Sequence, residues 1–357
     1  MVRKIRVLVL DDSLLFREVL AKGLSLDPAI QVVAKAEDPF DAIDKIEAFA
    51  PDVISCDVNM PKMDGIEFIR QLMPQHPLPV IVVSAASGVV FDAMNAGAVD
   101  FVSKPDMKSP QALDNFIKDM IAKVKMAVRA KVFPGSSTVS GDRVDAKGIE
   151  SSKFEQSRGL GGSVEKDLLK TRLIAIGAST GGTEAIFKVL SQLPTQLPGI
   201  VIVQHIPPMF SKMFADRLNN QTGFEVLEAK NNDVVLPGRV LIAPGDQHMK
   251  VKKIGDQLKV EVFSGERVNG HCPSVDVLMH SVAEAIGEKA VGVILTGMGY
   301  DGAKGLLAMK RKGARTLTQD EASSVVYGMP KVAFEIGASN RQVPLGQMHQ
   351  AILGLVK

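Results

Sequence analysis

The chain has no tryptophan, two tyrosines and two cysteines among 357 residues. A packed core must therefore be assembled from aliphatic side chains, 16 methionines and 15 phenylalanines. The cysteines, Cys56 and Cys272, lie far apart, which excludes a disulfide framework or a cysteine-rich zinc site and fits a reducing compartment. An excess of one charge is missing too. With 42 basic and 40 acidic residues the net charge is +2, so neither a nucleic-acid surface nor a membrane surface is indicated. No apolar run approaches the ~20 residues a membrane helix needs. The apolar run near the N-terminus stops at Asp11, too short for a secretory signal. These absences point to a cytoplasmic protein without membrane insertion.

What is present is enough apolar material, 46% of residues, for packed cores in more than one domain. Over residues 1–130 short apolar runs alternate with helical patterns. Strands are expected at Ile5–Leu10, Val32–Ala36, Val53–Cys56, Val80–Val83 and Asp100–Val102, with a last helix near Gln111–Arg129. Such alternation implies a parallel sheet covered on both faces, with working residues beyond the strands' carboxyl ends. Those ends carry Asp11 and Asp12, Asp57, Ser84 and Lys104. Three clustered carboxylates repel one another unless a cation intervenes, and Mg²⁺ suits such a site. A carboxylate can also attack phosphorus, giving an aspartyl phosphate, to which Ser84 and Lys104 offer a hydroxyl and a positive charge. Any one of these acids alone would be read as a helix cap or a solvated loop; three acids, a serine and a lysine gathered at the strand ends are not.

Residues 131–168 lose this pattern and are rich in Gly, Ser and charge, as expected of a flexible linker. Alternation resumes over 169–357, with a hairpin signal at Gly255-Asp256 between two strand-like runs. This half opens on Arg172-Leu-Ile-Ala-Ile-Gly-Ala-Ser-Thr-Gly-Gly182. Gly177-Ala-Ser-Thr-Gly181 fits the G-x-S-x-G nucleophile elbow; a phosphate-binding loop ahead of a helix has the same anatomy. The dinucleotide reading weakens because no acid follows about 20 residues on; the next strand ends in Gln204-His205. Asp301 follows a later strand. A serine, a histidine and an aspartate then share one sheet edge, the residue types a serine nucleophile, its base and the base's orienting group require. Asp301 alone would pass for a helix cap. His271, in a polar loop, is the reserve histidine, and His280 reads as structural.

Asp11-Asp12, Asp57-Val-Asn-Met-Pro-Lys-Met-Asp64-Gly65, Ser84 and Lys104-Pro105 resemble the receiver domain of response regulators. The resemblance implies a five-stranded flavodoxin-like sheet, Asp57 as phospho-acceptor, and Asp11 and Asp12 with Asp57 as Mg²⁺ ligands. It further implies Ser84 and Lys104 as the switch pair, Phe101 at the switch-aromatic position and a cis peptide before Pro105. Gly177–Glu184, Gln204-His-Ile-Pro-Pro208, Ala243–His248, Pro273-Ser-Val-Asp276 and Leu295–Gly302 together resemble the CheB family of chemotaxis methylesterases. The implied second domain is a doubly wound α/β methylesterase domain with an antiparallel hairpin. The implied activity is hydrolysis of glutamate methyl esters on chemoreceptor cytoplasmic helices, releasing methanol, with deamidation of receptor glutamines by the same site. Ser179 would be the nucleophile, His205 the base, Asp301 its orienter, and the backbone N–H groups of Met298 and Thr180 the oxyanion hole. No cofactor is expected for the esterase, and a chemotaxis histidine kinase is the expected phosphodonor. The alternatives are a receptor-binding module without catalysis and a DNA-binding regulator; the even charge balance argues against the second.

Overall fold

In the computed structural model residues 3–85, 88–132 and 172–356 are described. Five apolar segments form the strands of a first sheet: β1 (Ile5–Leu10), β2 (Ile30–Ala36), β3 (Val53–Asp57), β4 (Val80–Ser84) and β5 (Asp100–Ser103). All its pairings are parallel, in the order β2-β1-β3-β4-β5. The helices that cross between strands begin at residues suited to capping. Ser13 opens α1 (Leu14–Leu24), Asp38 followed by Pro39 opens α2 (Pro39–Phe49), and Asp64 opens α3 (Gly65–Gln75). α4 (Val90–Ala96) and α5 (Pro110–Ala127, capped by Ser109) complete the unit. The inner strands β3 and β4 are buried on both faces, which is why they read as near-continuous apolar runs. This order places the topological switch point at the ends of β1 and β3, where Asp11 and Asp57 emerge.

The second sheet has seven parallel strands in the order β14-β13-β12-β6-β7-β9-β8. They are β6 (Leu173–Ala178), β7 (Gly199–Gln204), β8 (Glu225–Glu228), β9 (Arg239–Ile242), β12 (Ala290–Ile294), β13 (Arg315–Gln319) and β14 (Arg341–Val343). The helices are α6 (Gly182–Leu190), α7 (Pro208–Gln221), α8 (Val275–Ile286), α9 (Ala303–Arg311), α10 (Met329–Glu335) and α11 (Met348–Val356). β10 (His248–Ile254) and β11 (Gln257–Phe263) form the expected antiparallel hairpin around Gly255. Strand order reverses between β6 and β12, so the crevice of this sheet opens where β6, β7 and β12 end.

The expected strands and helices appear with ends no more than three residues from those expected. The peptide before Pro105 departs from expectation: it is trans, and the cis peptide among the described residues is Cys272–Pro273. Trans is the lower-energy isomer before proline by about 0.5–1 kcal/mol. The expected linker, residues 131–168, lies almost wholly outside the described residues. No helix among those described is long and apolar enough to cross a membrane.

Gly65 shows how tightly the first sheet's crest is built. A Cβ there would lie 2.1 Å from the backbone oxygen of Asp57, and backbone cannot swing aside. Gly65→Ala should lower the stability of the N-terminal unit by about 1–3 kcal/mol in denaturant titration. Gly88→Ala, where the added methyl meets nothing within 4 Å, should be nearly neutral. Equal midpoints for the two variants would contradict this packing.

Candidate functional site

The first crest gathers the residues expected there. Asp11, Asp12 and Asp57 each present a ligand atom, all within 4.8 Å of one another. Asp57 is 2% exposed, and its Oδ1 accepts from Val58 N at 2.7 Å. Lys104 Nζ lies 2.6 Å from Asp57 Oδ2 and 2.7 Å from Asp11 Oδ2. Burial raises the Asp57 carboxyl against the pull of Lys104. For Lys104, burial opposes the charge, but its bonds to Asp11 and Asp57 outweigh that and raise its pKa. Asp11 Oδ2 is buried, with the Lys104 ammonium as its neighbour at 2.7 Å. Three carboxylates with ligand atoms this close, only partly answered by one ammonium, fit a hard divalent cation. Ser84 is buried, and Lys104 N donates to its carbonyl.

The second crest is stitched together across β6, β7 and β12. Ser179 follows β6 in a turn closed by Gly182 N donating to Ser179 O at 2.7 Å. Gly181 sits at φ 74°, a left-handed conformation that lets α6 start directly behind the serine. Ser179 N donates to Thr296 O at 3.0 Å, His205 N to Ala178 O at 3.1 Å, and Gln204 Nε2 to Ser179 O at 2.9 Å. Ser179, His205 and Asp301 are therefore held by neighbouring loops. His205 Nε2 lies 2.9 Å from Asp301 Oδ2, and His205 Nδ1 has no hydrogen-bond partner among the described residues. Because a carboxylate only accepts, a neutral His205 carries its proton on Nε2 and keeps a lone pair on Nδ1. The backbone N–H groups of Thr180 and Met298 make no hydrogen bond among the described residues. Met298 lies in the loop whose Gly297 approaches Ser179 closely enough that an added Cβ would sit 2.7 Å from Ser179 Cβ.

Asp301 is 1% exposed and answered on every side. Oδ1 accepts from Ser274 Oγ and Asn269 Nδ2, both at 2.8 Å, and from Asp276 N at 3.2 Å. Oδ2 accepts from Val275 N at 2.7 Å besides facing His205. Burial alone would raise this carboxyl. The hydrogen bond and charge of His205, then Asn269 and Ser274, prevail and hold it well below the usual carboxylate range. Sequence reading gave no role to Asn269, Ser274 or Asp276. The signal available was the N-cap pattern of Ser274, whose Oγ accepts from Val277 N to open α8. His271, the reserve histidine, makes no hydrogen bond to Asp301 but stacks on His205.

The two units meet at this second crest. Thr180, next to Ser179, donates from Oγ1 to Asp100 Oδ2 at 2.7 Å, and Asp100 opens β5. Lys123 on α5 pairs with the other Asp100 oxygen at 2.7 Å. Phe101 is buried against Phe210 of α7, ring centroids 4.6 Å apart, and Phe91 of α4 stacks on Phe214 at 5.7 Å. Arg217 spans the seam, donating to Glu184 at 2.7 Å and to Asn95 at 3.1 Å while covering the Phe91 ring. Sequence reading gave Asp100 no role, since an aspartate at a strand's first residue carries no motif.

Comparison with known proteins bears on these crests. A family model described as CheB methylesterase matches residues 174–352, and one described as response regulator receiver domain matches residues 7–116. The chain is 52% identical over 355 residues to a Syntrophomonas wolfei protein named protein-glutamate methylesterase/protein-glutamine glutaminase 2, covering 99% of this chain and 98% of that one. The chain belongs to the CheB family. A Syntrophotalea carbinolica relative bearing the same enzyme name without a number is 50% identical over 362 residues, covering 100% of this chain and 99% of its own. Among solved structures, the Thermotoga maritima CheB methylesterase catalytic domain is 36% identical with a TM-score of 0.51, covering 52% of this chain and 98% of that one. The first crest thus belongs to a receiver and the second to a methylesterase.

His271 offers a check on the second crest. Burial first, then the nearby positive charges of His205, Arg267 and Lys123, pull its pKa to about 4, with Asp301 opposing. The unfolded chain, with an ordinary histidine near 6.5, binds more protons between those values. Stability from this site is therefore full above about 6.5 and lost as pH falls toward 4. Urea midpoints at pH 7 and pH 5 should differ more for the parent than for His271→Phe, which has nothing to titrate there. Identical pH slopes would show that His271 is not held neutral.

Proposed function

We propose that this chain is a phosphorylation-activated hydrolase that removes methyl esters from glutamate side chains of chemoreceptors and deamidates receptor glutamines. In this reading residues 1–130 form the receiver domain, 131–168 a linker and 169–357 the methylesterase domain. The observation that carries it is the His205–Asp301 pair at 2.9 Å beside Ser179, at the switch point of the second sheet. Ser179 Oγ attacks the ester carbonyl carbon while His205 Nδ1 takes its proton. The resulting imidazolium is stabilised by Asp301, which stays ionised. The N–H groups of Thr180 and Met298 receive the oxyanion; one such donor is typically worth about 3–4 kcal/mol of barrier. The tetrahedral species collapses by breaking the bond to methoxide, and His205 hands over its proton so that methanol leaves. Water then attacks the acyl-enzyme, His205 removes a water proton, and glutamate departs as Ser179 is re-protonated. With glutamine the leaving group is ammonia.

The receiver supplies the control. Asp57 accepts the phosphoryl group from a chemotaxis histidine kinase. Asp11, Asp12 and Asp57 would hold Mg²⁺, which neutralises charge on the transferring group; the esterase reaction needs no cofactor. Ser84 and Lys104 answer the new phosphoryl oxygens, drawing on β4 and the end of β5. β5 also carries Asp100, which grips Thr180, and Phe101, which packs on Phe210, so a shift at Asp57 has a short route to the nucleophile's loop. The absence of a hydroxyl on Phe101 suits a ring buried between the units. Even charge and the lack of a membrane-spanning helix among the described residues fit action in the cytoplasm on receptor cytoplasmic helices.

Methanol release from methylated receptor fragments tests the chemistry. Ser179→Ala should lower the rate by at least about 10³-fold in a folded protein, phosphodonor or not. Undiminished release would remove Ser179 from the mechanism. Asp100→Ala, which deletes a charged hydrogen bond worth about 1.5–3 kcal/mol, should raise release without phosphodonor roughly tenfold or more. An unchanged unphosphorylated rate would mean that this contact does not restrain the site.

A further inference from the structure

Asp301 fixes one atom of His205, and one atom does not fix a ring. With Nε2 anchored, the imidazole can still turn about the line from Cβ through that nitrogen. The lone pair on Nδ1 lies in the ring plane, so any such turn changes where it points. Something must hold the plane. The His271 ring lies on His205 with centroids 3.7 Å apart and planes 8° from parallel, which is full face-to-face contact.

We propose that His271 is a positioning residue, a flat platform that sets the plane of the His205 imidazole and so aims its Nδ1 at the Ser179 hydroxyl. This rests on the catalytic reading above and adds a residue to it. The platform is itself rigidly mounted. Val268 N donates to His271 O and His271 N to Val268 O, each at 3.0 Å. The two residues between them, Asn269 at φ 54° and Gly270 at φ 83°, make the left-handed turn that such a tight closure requires. Asn269 then bonds both Asp301 and Asp276 at 2.8 Å, and Ser274, three residues beyond His271, bonds Asp301. One loop therefore holds the carboxylate, and through it Nε2, while presenting a face to the same ring. Burial first, and then neighbouring charges, disfavour a proton on His271, so the platform is neutral when His205 takes its proton and does not repel the imidazolium.

The test is steady-state methanol release by the full chain, with phosphodonor and Mg²⁺ present and Ser179→Ala as the blank. His271→Ala should lower kcat about 10- to 100-fold, the scale of a small misplacement of a catalytic group, with KM within about twofold. His271→Phe, a flat ring without nitrogens, should recover most of that loss. A parent-like kcat for His271→Ala overturns the proposal. So does a folded His271→Phe as slow as His271→Ala, which would assign the residue a chemical role. Should His271→Ala fail to fold, His271→Leu against His271→Phe decides: leucine fills the volume without a flat face and should be the slower, and equal rates overturn the platform. Release that persists in Ser179→Ala would instead defeat the underlying catalytic reading, a result distinct from any of these.

Discussion

The negative charge of Asp301 has to be answered inside the protein, because at 1% exposure water cannot do it. Four donors from the segment Asn269–Asp276 meet it, two of them backbone N–H groups at the start of α8, where the helix dipole favours an anion. Much of the C-terminal crest follows from that requirement. The loop after β11 must turn back across the ends of β6 and β12 to deliver those donors. α8 must begin where Ser274 can cap it and still reach the carboxylate. His205 then finds an acceptor already ionised and fixed, so its own proton is settled on one nitrogen. Removing the carboxylate would leave Ser274, Asn269 and two N–H groups facing an empty site, not merely an unoriented histidine.

A second constraint is that the two units share a seam built of unlike materials. Aromatic pairs, Phe101 with Phe210 and Phe91 with Phe214, supply apolar contact, and they join the cores of both units in one continuous apolar cluster. Beside them, Asp100 makes a polar contact with Thr180 while keeping Lys123 of its own unit as ion-pair partner. Were the units to part, Asp100 would lose one hydrogen bond and retain its counter-charge. No charge would be stranded. The seam is thus held by contacts that can be remade, as interfaces between mobile domains tend to be.

Much of this was legible in the sequence. Strand-end residues announce themselves because parallel sheets bury their strands in apolar runs and spend their polar residues at the crest. That is how Asp11, Asp12, Asp57, Ser84 and Lys104, and then Ser179, His205 and Asp301, could be named from the chain alone. The supporting residues were not legible, for two different reasons. Ser274 and Asn269 act through a loop whose path is set by tertiary contacts, and their local pattern says only that a helix begins. Asp100 looks like an ordinary member of a strand, and its role exists only because a second unit lies against it; Phe101 was named as the switch aromatic, but its contact with Phe210 depends on that same second unit. His271 fell between: its loop marked it as a neighbour of the cleft, but a stacking contact has no sequence signature.

The hydrogen bond between Asp100 and Thr180 has a further consequence. In the proposed function the receiver holds the very loop on which the nucleophile sits, which makes receiver and substrate rivals for one surface. A substrate helix that needs that surface would bind the parted arrangement, and by linkage it would favour parting by whatever free energy it gains in binding. A protein substrate at high local concentration would then act as a ligand pressing the enzyme open by mass action. A phosphoryl group on Asp57 and the local density of substrate would enter the same equilibrium as additive terms. The enzyme would respond to the product of two quantities, how strongly the kinase is signalling and how much substrate surrounds it.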